Sequence, residues 1–301
     1  MYLQIMRRIL LLVVVIGLAV LALRPLSGGF GSAPIVRPPS VLQRGGTMTV
    51  LVLGIDRRGT EVTRSDTMLL VRVGPPGRPP TVLSIPRDLW VQIPGHGEDR
   101  VNTAYVWGEL EQDNGAALAR RTVEQNFGVP VDRVVVVDFG CFERAIDAAR
   151  GVSVDVPRRL VDPTHPQEDG STAPVTFEPG QQIMSGQRAL QYARMRAPDS
   201  DFGRIRRQQQ IVSALGQRAK DPRVAASVAQ TLVRRCPGSG LDLTTADLLS
   251  LGVVAAGGEP VFRLIDESMV NPTTLPSGAA VLLPRWDVIR PAVAQLFSSR
   301  A

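Results

Sequence analysis

Apolar and polar positions fall along this chain in blocks short enough to read as separate elements. The first block stands apart. Arg7-Arg8 is followed by an unbroken apolar run from Ile9 to Leu23, which Arg24-Pro25 closes. A helix over that run spans about 22 Å, short of the ~30 Å hydrocarbon core, and flanking side chains can snorkel to cover the difference. Two arginines before the run and one after it put the N-terminus inside and the rest of the chain outside. The pattern predicts a cytoplasmic tail at 1–8 and a transmembrane anchor at 9–24. A cleaved signal peptide competes with that reading, but no small-x-small site follows the run closely. Either segment exports the remainder of the chain. Residues 25–46 are rich in Gly, Pro and Ser (SGGFGSAPIVRPPS) and predict a linker.

From residue 47 to 301 the pattern predicts one layered domain. Met48–Leu53 is too continuously apolar for a surface strand. Further strands are predicted at Thr67–Val73, Thr81–Ile85, Val131–Val137, Val152–Val156 and Val261–Ile265. Helical spacing appears at about 103–111, 115–127, 142–149, 205–219, 222–235, 244–256 and 285–297. Pro157–Gly180 predicts a long loop. Strands and helices mix throughout, which argues for an α/β fold: a mixed central sheet flanked by helices.

The first three predicted strands each carry charge at one end: Asp56, then Arg64-Ser65-Asp66, then Arg87-Asp88. If strands one and three are parallel and strand two is antiparallel, all three charged ends meet at one sheet edge, where α/β sheets bind ligands. Two carboxylates can hold a hard cation such as Mg²⁺ together with substrate phosphates. Arginines beside them would stabilise the charge of a phosphoryl transfer. Mutual salt bridges at the sheet edge explain the same spacing equally well.

A second arginine-rich stretch runs from Ser185 to Gln210. Guanidinium groups grip phosphate in bidentate fashion and stay charged at any working pH. ALQYA forms a helix that should end near Ala193, because Pro198 biases Ala197 towards extended backbone. Arg194 and Arg196 would then share one face of an extended run. Asp199, Ser200, Asp201 and Gly203 offer capping chemistry for a helix from about Arg204, on which Arg204 and Gln208 lie one turn apart. The plainer alternative is a solvated basic helix.

Composition narrows the function classes. A net charge of +6 and a pI near 10.2 point to an acidic partner: nucleic acid, anionic lipid or a phosphorylated substrate. Aromatic residues make up only 5% and do not interleave with basic ones, so a base-stacking surface is not indicated. Cys141 and Cys236 are too few for a metal site; they can pair outside the cytoplasm or stand as small buried hydrophobes. No P-loop, GxGxxG, HExxH or GxSxG motif occurs. His96 and His165 fall in Gly- and Pro-rich segments and read as surface residues.

Several segments, in order, resemble the LytR-CpsA-Psr (LCP) family of membrane-anchored phosphotransferases: VLVLGIDRR, RSDTMLLVRV, LSIPRDLWVQIPG, DRVNTAYVWG, VDFGCFERAIDAARGVSVDVP, FEPGQQIMSGQRALQYARMR and DFGRIRRQQQ. The resemblance implies a three-layer domain with an apolar lipid tunnel. It implies transfer of a phosphoryl-linked glycopolymer from a polyprenyl-pyrophosphate carrier to peptidoglycan, outside the membrane, with Mg²⁺ or Mn²⁺ held by Asp56 and Asp66. Arg58, Arg64, Arg87, Arg100, Arg194, Arg196, Arg204 and Gln208 match pyrophosphate-binding positions. Arg57 could serve in place of Arg58, and Arg100 stands where many members have lysine. Arg87, Asp88, Arg194 and Arg196 are the implied catalytic group, with Asp88 either a base or a brace for Arg87. Arg188, Arg206 and Arg207 are expected to be solvent or structural charges. Tunnel candidates are Val101, Tyr105, Val106, Phe127, Phe139 and Phe142, for which ordinary core packing is the alternative. No nucleic-acid partner is expected. A lipid-pyrophosphate hydrolase would use the same site, with water replacing the sugar acceptor. A DNA-binding regulator would need a cytoplasmic domain, against the charge flanks of the anchor.

Overall fold

A sheet with two apolar faces organises the chain. The computed structural model describes residues 46–56, 64–74, 78–111, 114–167, 171–195, 201–236 and 260–297. In chain order, β1 (Met48–Ile55), β2 (Ser65–Val73) and β3 (Thr81–Ile85) form an antiparallel meander, so β1 and β3 are parallel. The hairpin of β4 (Trp90–Ile93) and β5 (Gly97–Arg100) leads into α1 (Thr103–Leu110) and α2 (Gly115–Phe127). Then β6 (Arg133–Asp138) joins the open side of β1 in parallel and runs directly into α3 (Phe139–Ala148). A smaller layer comes after it: β7 (Val152–Val156), β8 (Leu160–Pro166), β9 (Thr172–Phe177) and β10 (Gly180–Met184), with β7 paired to β10 and β8 to β9. Helices α4 (Gly186–Arg194), α5 (Asp201–Arg218) and α6 (Pro222–Arg235) come next. Finally β11 (Val261–Leu264) pairs with β3, β12 (Val270–Thr274) and β13 (Ala280–Pro284) form a ribbon, and α7 (Trp286–Phe297) ends the described chain. The central sheet therefore reads β11-β3-β2-β1-β6 and is mixed.

Side chains alternate across this sheet with period two. Leu51, Leu53 and Ile55 of β1, with Met68, Leu70, Val134 and Val136, enter a core closed by α1, α2 and α7. Each fully buried Leu or Ile there contributes about 1.5–3 kcal/mol. The other face is apolar at one end, where Met48, Val50 and Val73 cluster, and open at the other. A second core, built on Ile146, Val154, Phe177, Tyr192 and Ile211, seats α4 and α5 on the smaller layer.

Helices α3 and α4 pack closely. A Cβ on Gly186 would lie 2.7 Å from backbone atoms of Glu143, and Gly186 donates its N–H to Asp147 Oδ1 at 2.7 Å. A Cys141–Cys236 disulfide joins α3 to the end of α6.

Three local expectations change. Helix α5 begins at Asp201 rather than at about 204–205. Pro157–Gly180 is not a loop but contains the β8–β9 ribbon. Its prolines obscure the two-residue period, and an isolated two-stranded ribbon tolerates them. Helix α3 begins at Phe139 rather than Phe142, because the Asp138 carboxylate caps it, accepting from Cys141 N at 2.6 Å. The anchor at 9–24, the linker at 25–46 and the helix at about 244–256 lie outside the described residues. Among the described residues no helix is long and apolar enough to cross a membrane.

Candidate functional site

The open end of the second sheet face is a cavity of about 630 Å³. Val52, Leu69 and Val137 form its floor, and Phe142, Ile211, Leu215, Val228 and Leu232 of α3, α5 and α6 help form its walls. Charge is confined to Asp56, Asp66, Arg194 and Arg204, beside the neutral amide of Gln208. An apolar cavity carrying a small polar cluster can take a ligand with an apolar body and a polar head.

The strand directions bring that cluster together. Asp56 follows β1, and Asp66 opens antiparallel β2 beside it, where the register shifts between Gly54 and Ile55. Gly54 is needed here, since a Cβ would sit 2.9 Å from Thr67 Cβ across the strand pair. Arg87 follows β3 at the same edge and donates to Asp66 Oδ1 at 2.9 Å. Its Nε faces Asp88 at 3.4 Å and Asp201 at 3.6 Å, yet this buried atom makes no well-aligned hydrogen bond. Burial disfavours the charged guanidinium of Arg87. The carboxylates of Asp66, Asp201 and Asp88 outweigh that and raise its pKa above the ordinary arginine value.

From the helical side, Arg194 ends α4 and reaches Asp56 Oδ2 at 3.5 Å, with its guanidinium 4.6 Å from the centre of the Phe139 ring. Arg204 is buried on the first turns of α5 and bonds Asp201 at 2.9 Å. Asp201 thus bridges Arg87 and Arg204. It was expected only to cap a helix; its position three residues before Arg204 was the available signal.

The remaining expectations sort by position. Arg64 is exposed just before β2. Arg100 holds Asp88 at 3.6 Å and the Ala280 carbonyl at 2.8 Å, so Asp88 sits braced between Arg87 and Arg100. Arg57, Arg58 and Arg196 lie outside the described residues. Phe139 and Phe142 line the cavity. Val101, Tyr105 and Phe127 instead lie buried in the core on the opposite sheet face, and Val106 is not among the lining residues. Alternation across the sheet is the reason: α1 and α2 cover one face and the cavity occupies the other. Arg188 lies 3.8 Å over the Phe177 ring and donates to the Thr176 carbonyl, while Arg207 is buried against the Tyr192 and Met195 carbonyls.

His165 is a correction: it is 1% exposed rather than on the surface. The register shift in β8 between Asp162 and His165 accompanies its burial, and its Nδ1 lies 3.3 Å from Asp162 Oδ2. Burial pushes its pKa down, and nearby Arg194 and Arg188 add to this against the raising effect of Asp162. His96 is half-buried, stacked on Trp107 with ring centres 5.0 Å apart.

Asp56 and Asp66, both lining the cavity, are the residues that would hold a hard cation of the Mg²⁺ kind, with phosphate oxygens and water completing its shell. No group of three potential ligands occurs among the described residues, so the protein alone would not complete such a shell.

The model of the LytR_cpsA_psr family matches residues 34–260. The polyisoprenyl-teichoic acid–peptidoglycan teichoic acid transferase TagU of Oceanobacillus iheyensis is 37% identical over 169 residues, 56% of this chain and 50% of that protein. Regulatory protein MsrR of Staphylococcus aureus is 31% identical over 218 residues, 69% of this chain and 61% of its own. A solved structure of TagT bound to LIIa-WTA superposes with a TM-score of 0.65 at 25% identity, covering 89% of this chain and 97% of that one. The matched parts thus span about half to three fifths of the length of these curated relatives.

Proposed function

The chain belongs to the LytR-CpsA-Psr family, and from that premise we propose that it transfers a phosphoryl-linked glycopolymer from a polyprenyl-pyrophosphate carrier to a sugar hydroxyl of peptidoglycan. The observation that carries this reading is the cavity itself, lined mostly by apolar side chains with Asp56, Asp66, Arg194, Arg204 and Gln208 among them. The polyprenyl chain takes the apolar part, and the pyrophosphate meets the charged groups.

Arg194 and Arg204, with Arg87 behind Asp66, neutralise the pyrophosphate and the charge that develops as the bridging oxygen departs. The acceptor hydroxyl attacks the glycan-side phosphorus; the new P–O bond forms as the P–O bond to the bridging oxygen breaks, and polyprenyl phosphate leaves. The hydroxyl proton passes to a base or to solvent. Positioning and electrostatics carry most of such a transfer. A cation held by Asp56 and Asp66, when bound, supplies further charge neutralisation at the phosphates. Asp88 serves as a brace, holding Arg87 and Arg100 in place.

A membrane location with the domain outside agrees with the charge flanks of residues 9–24. The disulfide supports it, since such bonds persist in oxidising compartments. The transferase name of TagU and the teichoic acid ligand of the TagT structure support the substrate class. Mass spectrometry of the detergent-extracted protein tests the reading. Co-purified polyprenyl phosphates or pyrophosphates are expected, and a protein that neither retains nor binds any polyprenyl phosphate would overturn it.

A further inference from the structure

Helix α5 is a partition between two concavities. One face lines the cavity described above, through Arg204, Gln208, Ile211 and Leu215. Its other face borders a more open cleft of about 590 Å³. Arg158, Arg206 and Arg207 line this cleft, and among the described residues no carboxylate does. Gln210 and Ser213 add amide and hydroxyl groups. Three guanidinium groups without an acidic lining residue make an electropositive groove.

The three arginines do different things. Arg207 is buried and committed to the Tyr192 and Met195 carbonyls, so it builds the wall. Arg206 has a side chain 62% exposed, and its ion pair with Glu267 is long, at 3.9 Å. Exposed pairs of this kind contribute little and exchange readily for a better anion. Arg158, in the turn after β7, is exposed on the facing wall. Gly203 lines the cleft and its neighbour Arg204 lines the first cavity, so both concavities reach the first turn of α5.

We propose that this cleft binds the phosphodiester-bearing part of the glycopolymer, the repeats beyond the unit attached to the carrier pyrophosphate, through Arg158 and Arg206. The proposal rests on the transfer reading above. Lipid lies on one side of α5 and polyanionic polymer on the other. Guanidinium groups grip the phosphates bidentately, and the Ser213 hydroxyl meets a sugar hydroxyl.

The test uses the full chain in detergent and the double variant R158Q/R206Q. First, soluble poly(glycerol phosphate) is titrated against each by calorimetry. The wild type should bind it with an affinity that falls with added salt, and the double variant should bind about tenfold more weakly. Equal affinity, or no binding by the wild type, overturns the proposal. Second, turnover is compared on two donors, one carrying a single phosphate-free disaccharide and one carrying several phosphodiester repeats. The variant should match the wild type on the short donor and lose about tenfold in kcat/KM on the long one, through KM. Equal loss on both donors would mean a structural role and overturn the proposal. A wild type that turns over neither donor would instead overturn the transfer reading, and the titration would still decide the cleft.

Discussion

Replacing Arg87 with alanine removes a guanidinium that three carboxylates share, Asp66 at 2.9 Å, Asp88 at 3.4 Å and Asp201 at 3.6 Å. The Arg87 side chain is 16% exposed and its partners 23–30%, so the cluster is intermediate between surface and interior. Exposed ion pairs contribute about 0–1 kcal/mol, and breaking a buried one costs about 3–5 kcal/mol. Arg87→Ala should therefore cost about 2 kcal/mol, part of it from three carboxylates left facing one another. Asp66→Asn leaves Arg87 two acidic partners and should cost about 1 kcal/mol. The double variant should cost less than the sum, because the two residues are in direct contact. Both single variants should stay folded and lose at least about 10²–10³-fold in turnover, the scale of removing one preorganised charge from a transfer site. Denaturant unfolding measures the first set of values. Release of polyprenyl phosphate from a lipid-pyrophosphate donor measures the second. Folded Arg87→Ala with near-wild-type turnover would refute the assignment, and strictly additive stability losses would refute the coupling.

Three further outcomes are expected. Burial lowers the pKa of His165 below 6.5, so its contribution to stability is fully present above that value and is lost as pH falls through the lower, folded-state value. Denaturant unfolding at pH 7 and pH 5 should thus show a larger loss for the wild type than for His165→Gln, and parallel curves would contradict it. Reducing the Cys141–Cys236 bond, which closes a separation of 95 residues, should destabilise the fold by about 2–5 kcal/mol, read as a lower unfolding midpoint in dithiothreitol. Arg188→Gln should lower stability by about 1–2 kcal/mol through its lost carbonyl bond and ring contact while turnover persists, whereas Arg194→Gln should remove turnover from a folded protein. Equal activity loss in the two would erase the distinction.

Much of the central sheet was legible because β1, β2 and β3 are short apolar runs ended by charge. Their antiparallel order follows from brief connections, and it brings Asp56, Asp66 and Arg87 to one edge. The end of α4 was legible from Pro198. The hidden part was long-range. Which sheet face is filled and which is open depends on where α1, α2, α5 and α6 dock, so Val101, Tyr105 and Phe127 looked as suitable for the cavity as Phe142 does. The burial of His165 accompanies a register shift in a proline-interrupted strand, which no periodicity announces. Asp201 read as a cap because its second role depends on Arg87, more than a hundred residues earlier.

One reaction tests transfer directly. The purified protein is incubated with a polyprenyl-pyrophosphate-linked disaccharide and uncrosslinked peptidoglycan oligomers, and the products are resolved by mass spectrometry. Polyprenyl monophosphate should form together with a phosphodiester-linked adduct on a peptidoglycan sugar, both absent with Asp66→Asn. Release of free phosphorylated disaccharide alone, at the same rate with and without peptidoglycan, would contradict it and make the protein a hydrolase.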